Sequence, residues 1–120
     1  MKLPGPDHPI TITPSGKHIR VLAGDLVIAD TTHALALKEA SYPEVLYIPR
    51  TDADLKLVEK TSRTTHCPYK GDASYYSIAA GGKVLENAIW TYETPFPAMA
   101  EIKDYLAFYP DKVKIETVAG

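Results

Sequence analysis

The stretch "SYYSIAAGGKVLENAIWTYE", residues 74–93, decides the fold. Its two arms, 74–80 and 83–93, are rich in aromatic and β-branched residues, and the pair Gly81 and Gly82 separates them. Glycine adopts positive φ without strain, so two glycines between strand-forming runs predict a two-residue turn. The stretch therefore predicts a β-hairpin in an antiparallel sheet.

Other short runs repeat this pattern on both sides of the hairpin. "ITIT" and "HIRVLA" flank the turn-forming "PSGK", which predicts a hairpin over 10–23, and "LVIAD" continues after "AGD". "EVLYIP" predicts a strand that ends at Pro49, while "YLAFY" and "VKIETV", joined by "PDK", predict a further hairpin. "HALALKEA" fits a strand or a helix; we favour a strand, because the run is too short for an isolated helix.

The remaining segments predict connections. Residues 51–60 can hold one short helical turn with Thr51 or Asp52 as its N-cap, and the proline-rich segment after 93 predicts a loop with a second turn. Three prolines lie in the first ten residues, so 1–9 should form an extended arm. Seven or eight short strands with one or two helical turns predict a compact, all-β, antiparallel sandwich or barrel over a single domain, 1–120.

Composition excludes several classes of function. Thirteen basic and fifteen acidic residues give a net charge of -2, which argues against binding to nucleic acid. One cysteine excludes an internal disulfide framework, and the four histidines lack metal-ligand spacing, so we predict no metal and no cofactor. No apolar run is long enough for a signal peptide or a membrane helix. We expect a cytoplasmic monomer or small homo-oligomer.

Several pieces of the chain resemble the family known as domain of unknown function 427. They are "YPEVLYIPRTD", "THCPYKGDASYYSI", the "GG" pair, "NAIWTYETPFP" and "IKDYLAFYPDKV", in the order that the family has. The resemblance implies a mostly antiparallel β domain, similar in architecture to the β-tent of Mss4-like proteins. The family is sometimes labelled as nucleotidyltransferases, which implies no settled reaction. Mss4-like relatives usually bind zinc through paired cysteines, which this chain lacks.

The stretch "TTHCPYKG", residues 64–71, carries the densest chemistry. Lys70 follows Cys67 across a proline-initiated turn, so its ammonium can reach the sulfur and activate a catalytic thiol. Lys70 can also hold an anionic ligand beside Tyr69. The alternatives are a buried, inert Cys67 and a solvated turn lysine.

Arg50 and Asp52 follow the strand that ends in "YIP". The planar fork of Arg50 suits a carboxylate or phosphate, and Asp52 with Asp54 has the spacing to hold Mg²⁺ beside a nucleotide. A surface pair of Arg50 with Asp52, in which Asp52 caps a helical turn, is the alternative that we favour.

The aromatic residues of the hairpin are the last candidates. Tyr75 and Tyr76 are adjacent and must face opposite sides of their strand, whereas Trp90 and Tyr92 share one face. Tyr76, Trp90 and Tyr92 can line a surface on which a planar ligand stacks. Packing of the same rings into the core is the alternative.

Two functional hypotheses follow. In the first, the protein binds a small anionic or nucleotide-like ligand in a pocket of basic and aromatic residues, with or without catalysis. In the second, it is a non-catalytic interaction or structural module. Convergence of these side chains on one concave site would distinguish the two.

Overall fold

A computed structural model describes residues 1–119, which form ten strands in two antiparallel sheets and confirm the all-β class. The strands are β1 (Ile10–Pro14), β2 (Ile19–Ala23), β3 (Leu26–Thr31), β4 (Leu35–Glu39), β5 (Val45–Ile48), β6 (Val58–Cys67), β7 (Gly71–Ala80), β8 (Lys83–Thr91), β9 (Leu106–Phe108) and β10 (Lys114–Thr117). Seven strands form the larger sheet in the order β1-β4-β5-β9-β8-β7-β6, and β10-β2-β3 form the smaller one. Short 3₁₀ segments cover Arg50–Asp52, Leu55–Leu57 and Pro97–Ile102.

The predicted central hairpin is confirmed as β7 and β8. Gly81 and Gly82 form its turn with φ of +57° and +78°, the left-handed conformation that favours glycine. Tyr75 lies opposite Trp90 across the two strands, so both rings share one face. The strands predicted in "HALALKEA" and "EVLYIP" are also present, as β4 and β5.

The predicted hairpin over 10–23 is wrong. β1 pairs with β4 in the larger sheet, whereas β2 pairs with β3 and β10 in the smaller one. The two strands bury different cores: Ile10 and Ile12 pack on one cluster, while Ile19 and Val21 belong to the other. The "PSGK" turn therefore carries the chain from one sheet to the next.

The predicted hairpin of "YLAFY" with "VKIETV" is wrong for a related reason. β9 lies between β5 and β8, and β10 pairs with β2 in the other sheet. All three residues of β9 are buried, so this strand packs on both faces and has a hydrogen-bonded neighbour on each side.

The segment 51–67 departs most from the prediction. The helical turn exists as two short 3₁₀ segments, and the N-cap of the second is Asp54, whose side chain accepts a hydrogen bond from the Lys56 amide at 3.2 Å. The polar run that follows forms the ten-residue edge strand β6, which the sequence reading missed. An edge strand exposed to solvent need not be hydrophobic, so its sequence carries little strand signal.

Two hydrophobic clusters lie on opposite faces of the larger sheet. One fills the space between the sheets, where Ile28 of β3 and Ile89 of β8 belong to the same cluster; we call this the inter-sheet face. The other contains Tyr47, Tyr75 and Tyr92, with Met99 and Ile102 from the last 3₁₀ segment; we call this the cleft face. Within residues 1–119, no helix is long and apolar enough to cross a lipid bilayer.

Candidate functional site

The "TTHCPYKG" stretch forms the connection between β6 and β7. Cys67 pairs with Gly71 at the end of the ladder, so residues 68–70 form a tight loop. Gly71 has φ of +112°, and the Phe96 amide donates a hydrogen bond to the Lys70 carbonyl at 2.9 Å. The loop is therefore held by its backbone against the segment 94–96, with the Lys70 side chain directed inward.

Lys70 is buried, with 7% of its surface exposed. Its ammonium donates a hydrogen bond to Glu39 at the end of β4, and its Nζ lies 3.7 Å from the Cys67 Sγ. The same Nζ lies 6.0 Å from the centre of the Tyr92 ring. A buried cation is expensive unless it is paired, and Glu39 provides that pair.

Glu39 connects Lys70 to the N-terminal arm. His8 Nε2 donates to its second carboxylate oxygen at 2.7 Å. Burial alone would raise the pKa of Glu39, but the hydrogen bonds from Lys70 and His8 outweigh it and hold the pKa below its ordinary value. Glu39 is therefore an ionised partner for Lys70 near neutral pH.

The arm over residues 1–9 packs on the loop. Tyr69 stacks on the His8 ring, with centroids 4.0 Å apart and planes at 6°. The Lys2 amide donates to the Pro68 carbonyl at 2.7 Å, and a small turn is closed by hydrogen bonds between Gly5 and His8. The arm and the loop together form one rim of the site.

Aromatic side chains form the wall of the cleft face. Trp90 donates its indole N–H to the Tyr47 hydroxyl at 3.3 Å and packs on Tyr109, with ring centroids 4.5 Å apart. Burial raises the pKa of both Tyr47 and Tyr92, so both keep their hydroxyl protons. The wall offers ring faces for stacking and O–H groups for hydrogen bonding.

A cleft of about 800 Å³ borders this wall at Trp90 and extends to Leu46, Phe108 and Ile115 at the edge of the inter-sheet cluster. An inner recess of about 240 Å³ shares Glu39, Lys70 and Trp90 with it and is further lined by the Tyr47, Tyr75, Tyr92 and Tyr109 rings. Tyr42, which is 61% exposed, stands at the mouth. The dimensions fit a small molecule that carries one or two rings.

The structure brings together most of the residues predicted from the sequence. Cys67, Tyr69, Lys70 and Trp90 line the cleft, and Tyr92 lines its inner recess. Cys67 is half-buried, so it is neither the fully buried, inert residue of one alternative nor a fully exposed thiol. His66 also borders the cleft, but its Nδ1 hydrogen-bonds to Asp72 at 2.7 Å rather than to Cys67.

Arg50 and Tyr76 lie elsewhere, towards the inter-sheet face. Arg50 donates to the Asp104 carbonyl at 3.0 Å, to the Tyr76 hydroxyl at 3.2 Å and to the Thr91 hydroxyl at 3.3 Å. Its guanidinium also lies 3.8 Å from the Glu93 carboxylate. These contacts bind the guanidinium to the protein itself and place it away from the cleft, so the predicted role of Arg50 in this ligand site is not supported.

Asp52 also lies apart from the cleft, and its predicted roles as the partner of Arg50 and as a helix cap are wrong: Arg50 approaches Glu93 and Asp104 instead, and Pro49 is the N-cap of the first 3₁₀ segment. Asp52 accepts a hydrogen bond from the Thr31 hydroxyl at 2.6 Å, and so ties the 3₁₀ segment to β3. Asp54 caps the next segment, so both carboxylates of the predicted Mg²⁺ pair have protein partners. Among residues 1–119, no three or more His, Cys, Asp or Glu side chains are grouped to hold a metal ion.

Glu39, His8, Tyr47 and Tyr109 are site residues that the sequence reading missed. Glu39 lies 31 residues before Lys70, in a strand of alternating alanine and leucine. Only the pairing of β4 with β5, and of β5 with β9, brings it to the same face as the hairpin. No local sequence pattern predicts such a contact.

Fold and cleft together define a small antiparallel β domain with one open, aromatic-walled face. A family model matches residues 11–119, and the chain belongs to that family, which is described as "Domain of unknown function (DUF427)". No curated protein matches the chain significantly.

Proposed function

We propose that the cleft binds a small planar molecule that carries hydrogen-bond acceptors, such as a nucleotide-like compound. The observation that carries this proposal is the buried Lys70–Glu39 pair, which opens beside Cys67 into an aromatic-walled recess. A well-packed hydrophobic pair in this position would stabilise a fold at least as well as a buried ion pair. We infer that the pair serves recognition.

Three donors converge on the recess. Lys70 has three N–H groups, and one donates to Glu39 while another points towards the Cys67 sulfur. The Tyr47 hydroxyl accepts from Trp90 and keeps its own proton for a further acceptor, and the Tyr92 hydroxyl hydrogen-bonds to no group within residues 1–119. The recess therefore suits a carbonyl, carboxylate or phosphoryl oxygen.

Ring stacking would provide the remaining affinity. Trp90 is half-buried, and Tyr42 is exposed at the mouth, so both have ring surface for a planar ligand. Aromatic pairs are worth about 0.5–1.5 kcal/mol beyond the area that they bury. A ligand of one or two rings would place its edge oxygen at the donors and its face on Trp90.

The proposal is tested by a thermal-shift screen of nucleobases, nucleosides and aromatic carboxylates, followed by calorimetry on each compound that raises Tm. We expect Tyr92→Phe, which removes one donor and keeps the ring, to weaken binding about 3- to 10-fold. Tyr76→Phe is the matched control on the inter-sheet face and should leave affinity unchanged. Equal losses in the two variants, or no compound bound, would contradict the proposal and favour an interaction module.

A second candidate is covalent chemistry at Cys67. The contact of 3.7 Å between Lys70 and the half-buried thiol favours it, because the sulfur borders the same cleft as the donors. The test is the rate of alkylation of this single cysteine by iodoacetamide near neutral pH. We expect Lys70→Met to slow the alkylation about tenfold, since the contact between the ammonium and the sulfur is removed. An unchanged rate would assign Cys67 a packing role.

A further inference from the structure

A second concavity adjoins the inner recess and is separated from it by two tyrosine side chains. This concavity has a volume of about 350 Å³ and shares Tyr75 and Tyr109 with the recess. Its other lining residues are Arg63, Asn87, Asp111 and Lys112. The Tyr75 and Tyr109 hydroxyls lie 3.4 Å apart, so the two tyrosines form a shared wall between the neutral recess and a charged shelf.

Arg63 differs from the other two arginines of the chain. Arg20 pairs with Asp30 and Glu116, and Arg50 approaches Glu93 and Asp104. No carboxylate within residues 1–119 lies within 4.0 Å of the Arg63 side chain. Its guanidinium is instead stacked over the Tyr75 ring, 4.9 Å from the ring centre, on the exposed edge strand β6.

The net charge of the lining residues differs between the recess and the shelf. In the recess, the Lys70 ammonium is neutralised by Glu39. On the shelf, Arg63 and Lys112 face the single carboxylate of Asp111, so the lining has one excess positive charge. The Lys112 ammonium donates to the Glu86 carbonyl at 2.5 Å, whereas the Arg63 guanidinium contacts the Tyr75 side chain and has no carboxylate partner within residues 1–119.

The environment of Tyr75 reflects the neighbouring guanidinium. Burial alone would raise its pKa, but hydrogen bonds with Thr65 and Tyr109 and the charge of Arg63 outweigh it and lower the pKa.

We propose that Arg63 is an anion-binding residue, and that the ligand is a planar molecule whose charged group, a phosphate or carboxylate, extends from the recess onto this shelf. The inference rests on the proposed function and sharpens it: the recess binds a neutral acceptor, and Arg63 selects the charge. Arginine suits this role because its planar fork can donate two parallel hydrogen bonds to one anionic group.

The experiment compares adenosine with adenosine monophosphate, which present the same ring with and without an anionic group. Calorimetry is performed on the wild type, Arg63→Gln, Arg63→Lys and Arg20→Gln, the last being a matched control on the smaller sheet. We expect the wild type to bind the monophosphate about tenfold more tightly than adenosine. Arg63→Gln should abolish the difference without changing the affinity for adenosine, Arg63→Lys should restore part of it, and Arg20→Gln should behave as wild type.

The salt dependence of the preference for the monophosphate distinguishes an anion-binding role of Arg63 from a merely structural one. The preference for the monophosphate should shrink as salt rises from low to physiological concentration in the wild type, and should stay flat in Arg63→Gln. If both compounds bind the wild type equally, or if Arg63→Gln weakens both alike, the inference about Arg63 is overturned and the proposed function stands. If neither compound binds, this inference falls, and the wider screen with Tyr92→Phe decides the proposed function separately.

Discussion

Lys70 and Arg50 are two cations on opposite faces of one sheet, and they differ in what surrounds their donors. Arg50 is the more exposed of the two, yet its guanidinium is hydrogen-bonded to a backbone carbonyl and two hydroxyls. Lys70 is the more buried, yet it borders an open cleft beside a thiol and four tyrosine rings. Burial therefore does not separate a structural cation from a candidate site residue.

What separates them is how many parts of the fold each cation connects, and whether it faces an open recess. Arg50 connects the 3₁₀ segment after β5 to β7, β8 and the loop at Asp104, so it joins four parts of the fold. Lys70 reaches one carboxylate and one sulfur. The first arrangement stabilises the fold, and the second leaves capacity for a ligand.

The largest effect should come from Arg50→Met, which keeps the aliphatic stem and removes the guanidinium. The Asp104 carbonyl and the Tyr76 and Thr91 hydroxyls lose a donor, and Glu93 keeps only Lys60 as a counter-charge. We therefore expect the free energy of unfolding to fall by about 2–4 kcal/mol. Urea denaturation measures it. Arg20→Met, on an exposed ion pair, should cost less than about 1 kcal/mol. Similar small losses in both variants would remove the contrast with Lys70.

An intermediate effect should come from breaking the Lys70–Glu39 pair. Lys70→Met leaves a buried carboxylate with His8 as its remaining partner, so we expect a loss of about 1–3 kcal/mol. The double variant Lys70→Met, Glu39→Gln buries no unpaired charge and should lie within about 1 kcal/mol of the wild type. A double-mutant cycle by urea denaturation measures the coupling. Additive losses would show that the two side chains act independently.

The smallest effect should appear in the pH dependence of stability. The pKa of Glu39 is lower in the folded protein than its ordinary value of 4.5, so its contribution is complete above pH 4.5 and is lost as the pH falls through the folded pKa. Acidification below pH 4.5 should therefore destabilise the wild type more than Glu39→Gln. Asp30 and Glu93, whose pKa values are also lowered by partners, titrate in both proteins and cancel in the comparison. Parallel curves would contradict the role assigned to Glu39.

Local sequence signals predicted the parts of the fold that are themselves local. The glycine pair fixed the β7–β8 hairpin, and alternation identified β4 and β5. The predicted sheet partners of β1, β9 and β10 were wrong. Adjacency in sequence suggested hairpins, but these strands bury different hydrophobic faces and belong to separate sheets. The predicted likeness to Mss4-like architecture stays a prediction.

The site residues were likewise predicted correctly only where they lie close together in the sequence. Cys67, Tyr69 and Lys70 lie in one loop, and Trp90 and Tyr92 share a face of one strand, so sequence alone grouped them. Glu39 reaches Lys70 only through three intervening strands, and Arg63 lies on the edge strand that the sequence reading missed. Arg50 was predicted to be a site residue because arginine side chains bind anions well. In the structure its hydrogen-bond partners are Thr91 and Asp104, which are distant in sequence.

The backbone at Gly71 has a consequence for engineering. Its φ of +112° strains any residue other than glycine, and main-chain hydrogen bonds to residues 2 and 96 hold the backbone of 68–70. The backbone at position 70 is thus held independently of its side chain, but an exchange of the Lys70 ammonium requires a matching change at Glu39, its buried partner. A library that varies 67, 69 and 70 while Gly71 is kept would present new reactive groups to the same aromatic cleft, on a scaffold of only 120 residues.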